Sequence, residues 1–428
     1  MTFFDSFTSI AKKLFSEVGG WIVVLIIVFL AGGSVPAFSF PSILEQSSLS
    51  GTIRSYFQAR KLDLKADESL YSLGAKLKFE TGAYKGFKAG AAFYSATDLG
   101  INRDDIRAQN PLLPPSTLSN FGEAYLQYEN PATLLKFGRQ KIDTPFMNPS
   151  DAHMAPVTYF GYLLENKSFE NFELTAIHVT EIKLRQNDSF DNTGKFLTQR
   201  LGFTTPVDTT GTTVLGVSWE KDNLKIEGWD YYLPDLFNLI YFQTDFKFAE
   251  TSGLQPFLSI QIGKQFDVGQ NLLGNVNAMA YGLNLGAKAG RAKLAYAFNY
   301  LPKNEGNFRN GGLLSPYSFA TDALFTNSID GGLTLKDSAF VGVAHKWTAN
   351  FEFSEAIWSE LSYTYFDLIK SVGGVDSREI NIDLIYKFQG AWKGLSLRNR
   401  LAFVESGRVA ENVIENRLQA QYLFDISP

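Results

Sequence analysis

A transmembrane antiparallel β-barrel of about 18 strands is the all-β fold this chain predicts. Three observations predict it. Strand-like segments alternate with period two, placing Arg, Lys and Gln on one face and aliphatic and aromatic residues on the other. The connections between them alternate short and long. No apolar stretch after the N-terminal region is long enough to cross a bilayer as a helix, so a closed barrel is the remaining way to satisfy a backbone in lipid.

The first 37 residues read as an export signal that is removed. Lys12 and Lys13 form a basic flank, Trp21 to Ala31 an apolar core, and Gly32 to Ala37 a run of small residues. Gly32, Gly33 and Pro36 cut the apolar run short of a spanning helix. Residues 38–428 then form one barrel domain. About eleven residues separate the expected cleavage from the first strand, too few for the plug domain of an energy-coupled transporter.

The candidate strands are 49–60, 69–81, 86–95, 121–129, 132–140, 158–166, 171–183, 211–221, 223–233, 237–250, 254–266, 277–289, 291–301, 338–348, 356–368, 378–389, 394–405 and 413–424. In the first, Leu49, Gly51, Ile53, Ser55, Phe57 and Ala59 oppose Ser50, Thr52, Arg54, Tyr56, Gln58 and Arg60. In the second, Leu73, Ala75, Leu77 and Phe79 oppose Gly74, Lys76, Lys78 and Glu80. A soluble sandwich alternates as well, but its outer faces do not carry so many aromatics opposite so many cations. Tyr84, Tyr94, Trp229, Tyr231, Tyr241, Trp347, Tyr386, Trp392 and Tyr422 sit near strand ends, where amphipathic rings suit the two headgroup levels. Gln421 to Phe424 reads as the terminal aromatic strand. The long connections are 96–120, 141–157, 184–210 and 302–337, which places them outside and both chain ends on the periplasmic side.

Composition removes several functions. With no cysteine there is no thiolate metal site, disulfide or cysteine nucleophile. A net charge of −5 argues against nucleic acid as a partner. The three histidines, His153, His178 and His345, are too scattered for a metal or catalytic cluster, and no nucleophile motif accompanies them. Asp104, Asp105, Asp188 and Asp191 lack the spacing of a calcium loop and read as a solvated rim. No cofactor and no metal is expected. The partners expected are small-molecule solutes and outer-membrane lipid and lipopolysaccharide; monomer and trimer both stay open.

One stretch does not fit the sheet. Between Gly138 and Tyr162, Pro145, Pro149 and Pro156 each remove a backbone donor. The same stretch carries Phe146, Met147, Met154, Tyr159 and Phe160, which an exposed loop would keep from water. A long loop with stiff corners and apolar anchors packs onto something, and inside a barrel it narrows the lumen. Gly138-Arg139-Gln140, Asp143-Thr144-Pro145, Asp151-Ala152-His153-Met154-Ala155-Pro156 and Thr158-Tyr159-Phe160-Gly161 together resemble the constriction loop of the OprD family of outer-membrane porins. His153 stands where that family usually has Arg. Arg139 has the parity of Leu135 and Phe137, the lipid face.

The resemblance implies a porin of the bacterial outer membrane, passing small water-soluble solutes by passive diffusion without enzymatic chemistry. A barrel pairs its first strand with its last, so Arg54 and Arg60 share a wall with Arg417, Arg398 and Arg400; Arg408 follows just beyond. The family's basic lumen ladder implies that these positions are a track for carboxylate-bearing solutes such as amino acids, short peptides or organic acids. Facing them, Asp143, Thr144, Ser150, Asp151, His153 and Tyr159 are the candidates on the constriction loop. Glu405, Glu411 and Glu415 are the acids near enough in sequence to pair with the row instead. A structural or adhesive barrel, or an enzyme on a barrel, is the alternative.

Overall fold

The computed structural model describes residues 46–103, 117–150, 153–317, 323–329, 331–333, 340–406 and 411–426. The export segment, Asp104, Asp105, Asp151 and Arg408 lie outside the described residues. All the predicted strands are present. They are β1 (Ser48–Leu62), β2 (Glu68–Glu80), β3 (Phe87–Thr97), β4 (Leu118–Glu129), β5 (Thr133–Gln140), β6 (Thr158–Asn166), β7 (Phe172–Lys183), β9 (Thr212–Lys221), β10 (Leu224–Leu233), β11 (Phe237–Lys247), β12 (Leu254–Phe266), β13 (Asn277–Ala289), β14 (Ala292–Leu301), β15 (Gly342–Glu352), β16 (Ile357–Leu368), β17 (Ser377–Lys387), β18 (Leu395–Ser406) and β19 (Val413–Ile426). The short β8 (Asp191–Asn192) is an extra rung beside β7, followed by the helix α1 (Thr193–Arg200). Asn192 caps α1, its Oδ1 accepting from the backbone N–H groups of Gly194 and Lys195.

Each long strand pairs antiparallel with the next, β7 passing directly to β9. The ring closes where β1 pairs β19, from Leu49 opposite Ile426 to Leu62 opposite Val413. Closure leaves no sheet edge to meet lipid. On β1, Ile53 and Phe57 are 48% and 41% exposed, whereas Tyr56 and Gln58 are 1% and 0% exposed. That inversion, apolar outside and polar inside, is the reverse of a water-soluble sheet and suits a wall with lipid around it.

Three sequence expectations need correction. Residues 184–210 were expected to be one loop and instead hold β8 and α1; a two-turn helix without strong periodicity leaves little signal. The strand expected at 338–348 is β15, Gly342–Glu352. Asn350 and Glu352 resemble turn residues, but Asn350 faces inward and donates to Glu360 Oε2 at 2.7 Å. Finally, Tyr94, Tyr231 and Tyr241 do not belong to a headgroup belt. They are 2%, 0% and 1% exposed and point into the barrel. Trp347, Trp392 and Tyr422 are on the outside as expected.

Candidate functional site

The loop 141–157 leaves the sheet at a place its glycines make possible. Gly138 has φ +123°, and a Cβ there would strike the Ala124 carbonyl oxygen. Gly161, its partner across β5 and β6, is equally tight against the His178 carbonyl. Side chains are thereby removed from both flanks of the departure.

From β5 the loop first reaches β10 and β11. Phe146 sets its edge against Tyr241 at 5.2 Å and Tyr231 at 5.7 Å between centroids. The Tyr231 hydroxyl accepts from the Phe146 backbone N–H at 3.1 Å and donates to Thr144 Oγ1 at 3.0 Å. The returning half of the loop reaches the other side. Met154 and Ala155 pack among Tyr56, Leu70, Tyr94 and Leu118 on β1 to β4, and Arg54 on β1 donates to the His153 carbonyl oxygen. In the ring, β1 and β10 lie nearly opposite. The loop therefore crosses the lumen from wall to wall.

A second inward loop, between β14 and β15, was not foreseen. Gln265 on β12 exchanges two hydrogen bonds with the Leu314 backbone, at 2.8 and 2.9 Å. Gln261 donates to the Ala323 carbonyl at 2.9 Å. Asn299 accepts from both the backbone N–H and the hydroxyl of Thr326 at 3.0 Å. Tyr317 of this loop meets Tyr159 edge-on at 5.8 Å and stacks on Phe196 of α1 at 6.3 Å. One apolar cluster thus joins the crossing loop, α1 and the second loop to the inner faces of β6 through β16. Apolar side chains fill that side of the lumen at this level. Gln261, Gln265 and Asn299 look in sequence like any water-lined wall, because a side-chain amide serves a backbone as well as it serves water.

The other side carries the arginines. Arg417 on β19 stands opposite Arg400 on β18, Arg54 opposite Gln421, and Arg60 opposite Glu415. Along β19 from the outer rim the register sets Arg60 beside Glu415, the Arg400 and Arg417 pair next, Arg398 beside Gln419, and Arg54 beside Gln421. Asp383 on β17, absent from the sequence reading, accepts from Arg398 Nε at 2.9 and 3.1 Å and from Arg400 Nε at 3.2 Å. Glu415 takes Arg60 at 3.1 Å and also Arg417. Glu68 lies 3.5 Å from Arg60. Glu405 and Glu411 pair elsewhere, with Arg378 and Lys65. Arg54 donates to Gln421 Oε1 at 2.8 Å.

Beneath the crossing loop the walls differ in sign. On the arginine side a cavity of about 380 Å³ is lined by Lys76, Lys78 and Lys141, with Glu123 and Asp425 as its acids. Under the apolar side a cavity of about 790 Å³ is lined by Asp143, Glu165, Glu173, Glu220 and Glu227, with Lys141 and Lys225 as its cations.

The loop candidates divide accordingly. Asp143 is exposed and faces the larger cavity. Thr144 is buried; its hydroxyl donates to the Met147 carbonyl at 3.1 Å, a turn contact. Ser150 is buried and accepts from Arg185 Nη1 at 2.9 Å. Tyr159 is 0% exposed, which makes it packing beneath the second loop rather than a group facing water. Phe160, expected as an inward anchor, instead meets Phe137 edge-on at 5.6 Å on the outer face. Arg139 is outward too, its guanidinium 4.6 Å from the centre of the Phe190 ring. The other two histidines also face out: His178 bonds Thr213 at 3.0 Å and His345 bonds Tyr296 at 2.7 Å.

His153 is buried, and its Nδ1 has no hydrogen-bond partner among the described residues. Burial pushes its pKa well below the usual range, and the charges of Arg185, Arg417, Arg54 and Arg400 push the same way. The seated imidazole is neutral, whereas a free one takes a proton near pH 6.5. Between those two values the unseated loop binds more protons, so the seat weakens as pH falls below about 6.5. Current noise in a planar bilayer is expected to rise from pH 7.5 to pH 4.5, and His153→Gln to flatten that dependence. Equal noise at both pH values in wild type would refute it.

With this geometry in place, comparison with known proteins is informative. Residues 114–317 match the model described as outer membrane porin, OprD family. That stretch, a little under half of the chain, includes the crossing loop and is similar to this family. No curated protein matches it by sequence. Among solved structures, OccK9 (OpdG) of Pseudomonas aeruginosa superposes with a TM-score of 0.77 at 18% identity, covering 90% of this chain and 100% of that one. OccAB3 of Acinetobacter baumannii gives 0.75 at 17% identity over 90% and 100%. OccK2 (OpdF) of Pseudomonas aeruginosa in complex with glucuronate gives 0.74 at 16% identity over 90% and 99%. Those likenesses show the same barrel fold. The chain is a β-barrel of the bacterial outer membrane, similar over residues 114–317 to the OprD-family porins.

Proposed function

We propose that this porin passes small carboxylate-bearing solutes by passive diffusion, along the arginine wall and past the crossing loop. The observation that carries this reading is the division of the lumen. Apolar packing fills the side of β6 through β16 above the larger cavity, while Arg54, Arg398, Arg400 and Arg417 are spread over three successive inward rungs of the other wall. A guanidinium presents a planar fork that matches a carboxylate. Asp383 holds Arg398 and Arg400, and Glu415 holds Arg417 together with Arg60, which softens the row. A weak site lets a solute leave again, and several in series let it progress.

The glucuronate complex of the structurally similar OccK2 (OpdF) supports a carboxylate as the solute class. The opposing acidic cavity extends the class to zwitterions such as amino acids and short peptides, because walls of opposite sign orient a dipole between them. The purified protein in a planar bilayer is expected to open discrete channels, blocked by glucuronate in the millimolar range and not by glucose. A channel blocked equally by both would overturn the carboxylate assignment, and a silent bilayer would overturn diffusion itself.

A further inference from the structure

Lys141 is common to the linings of the two cavities beneath the crossing loop. The root of its side chain is fixed. Gln140 before it donates to the Gly161 carbonyl at 3.1 Å, and Ile142 after it is packed in the apolar cluster. Its head is loosely held. The ammonium lies 3.7 Å from Glu123, and the side chain is 43% exposed. Glu123 already accepts from the Tyr94 hydroxyl at 2.5 Å, so it does not depend on this lysine for a partner. The two cavities differ in what one positive charge does to them. In the smaller, Lys76, Lys78 and Lys141 stand against Glu123 and Asp425. In the larger, Lys225 is taken by Glu227 at 2.9 Å, and Lys167 takes Glu173 at 3.4 Å. Asp143, Glu165 and Glu220 have no ion pair among the described residues. Lys141 is the lining cation that no carboxylate of the larger cavity engages.

We propose that Lys141 is a specificity-determining residue of the channel: one ammonium between two chambers, which gives the smaller its excess of positive charge and holds small organic cations out of the larger. The inference rests on the carboxylate reading above and goes beyond it, since it concerns amines as well. An ammonium on a flexible four-carbon stem can turn to either side. Between low-dielectric walls its field reaches both spaces. Lys141 therefore couples two preferences. Without it the smaller chamber has as many acids as cations, and the larger keeps all five acids against Lys225 alone.

The test is block of single channels by glucuronate and, separately, by 1,4-diaminobutane, with Lys141→Met, Lys141→Arg and Lys225→Met measured beside wild type. Lys141→Met is expected to move the two responses in opposite directions, raising the half-blocking concentration of glucuronate about threefold and lowering that of diaminobutane about threefold. Lys141→Arg keeps the charge and is expected to stay within about twofold of wild type for both. Lys225 lines the larger cavity and not the smaller, so Lys225→Met is expected to change diaminobutane block alone. Should Lys141→Met move only one of the two responses, as Lys225→Met does, Lys141 is one counter-charge among several and the coupling is overturned. Unchanged block by both in Lys141→Met, with wild type blocked by glucuronate, would overturn the role of Lys141 and leave the carboxylate reading standing. A wild-type channel that glucuronate does not block would overturn the carboxylate reading, and with it the part of the proposal that concerns the smaller chamber; the diaminobutane response of Lys141→Met then decides the part that concerns the larger.

Discussion

Alanine at both Arg398 and Arg400 is expected to reverse the charge preference of the channel. The reason is Asp383. It accepts from both guanidiniums, so the three side chains together carry two positive charges and one negative, a net of +1. Removing both arginines leaves −1 on the same patch of wall, with Asp383 buried and unpartnered by either. The change is two units at one height of a water-filled route, where low-dielectric walls focus the field. In a salt gradient the reversal potential is expected to move toward cation selectivity, and glucuronate block to weaken by ten- to a hundredfold, about 1.4 to 2.8 kcal/mol. Asp383→Asn is the opposite experiment. It raises the patch to +2 and is expected to tighten block and slow release. If the double alanine leaves the reversal potential where it was, ions do not travel along this wall.

Freeing the crossing loop from β10 is expected to give the largest gain in conductance. Phe146 and Met147 are 2% and 0% exposed, and Phe146 is gripped on two sides by Tyr231 and Tyr241. Truncating a buried Phe to Ala costs about 3–5 kcal/mol and a buried Met about 2–5 kcal/mol. That loss falls on a loop and not on the sheet, while Met154 and Ala155 on the opposite wall and Ser150 on Arg185 still hold its returning half, so the loop yields while the barrel stands. Phe146→Ala with Met147→Ala is expected to raise single-channel conductance several-fold. Liposomes carrying the variant are expected to swell in sugars that wild type excludes. Unchanged conductance would mean that the remaining seat around Met154, or the second inward loop, sets the narrow point.

The barrel was legible in the sequence because its cause is local and repetitive. Strand after strand carries the same period-two signal, and the alternation of short and long connections follows from one side facing the periplasm. The crossing loop was legible because prolines and buried-type apolars rarely share an exposed stretch. What could not be read was which inward polar residue serves water and which serves another part of the chain. Gln265 and Gln421 occupy equivalent inward positions, yet one holds the Leu314 backbone and the other accepts from Arg54. Asp383 was missed for a related reason. It lies fifteen residues from Arg398 across a turn, and an acid opposite a cation on a neighbouring strand leaves no mark without the register. Arg185 was hidden in a stretch that reads as plain loop, and its position depends on Ser150, which belongs to a different connection.

The wall-to-wall span of the crossing loop also bears on how the molecule is braced. Its two moorings, Tyr231 on β10 and Arg54 on β1, stand far apart in the chain and on nearly opposite walls of the closed ring. The loop is thereby a strut: it ties directly across the cylinder two walls that the sheet itself joins only the long way round.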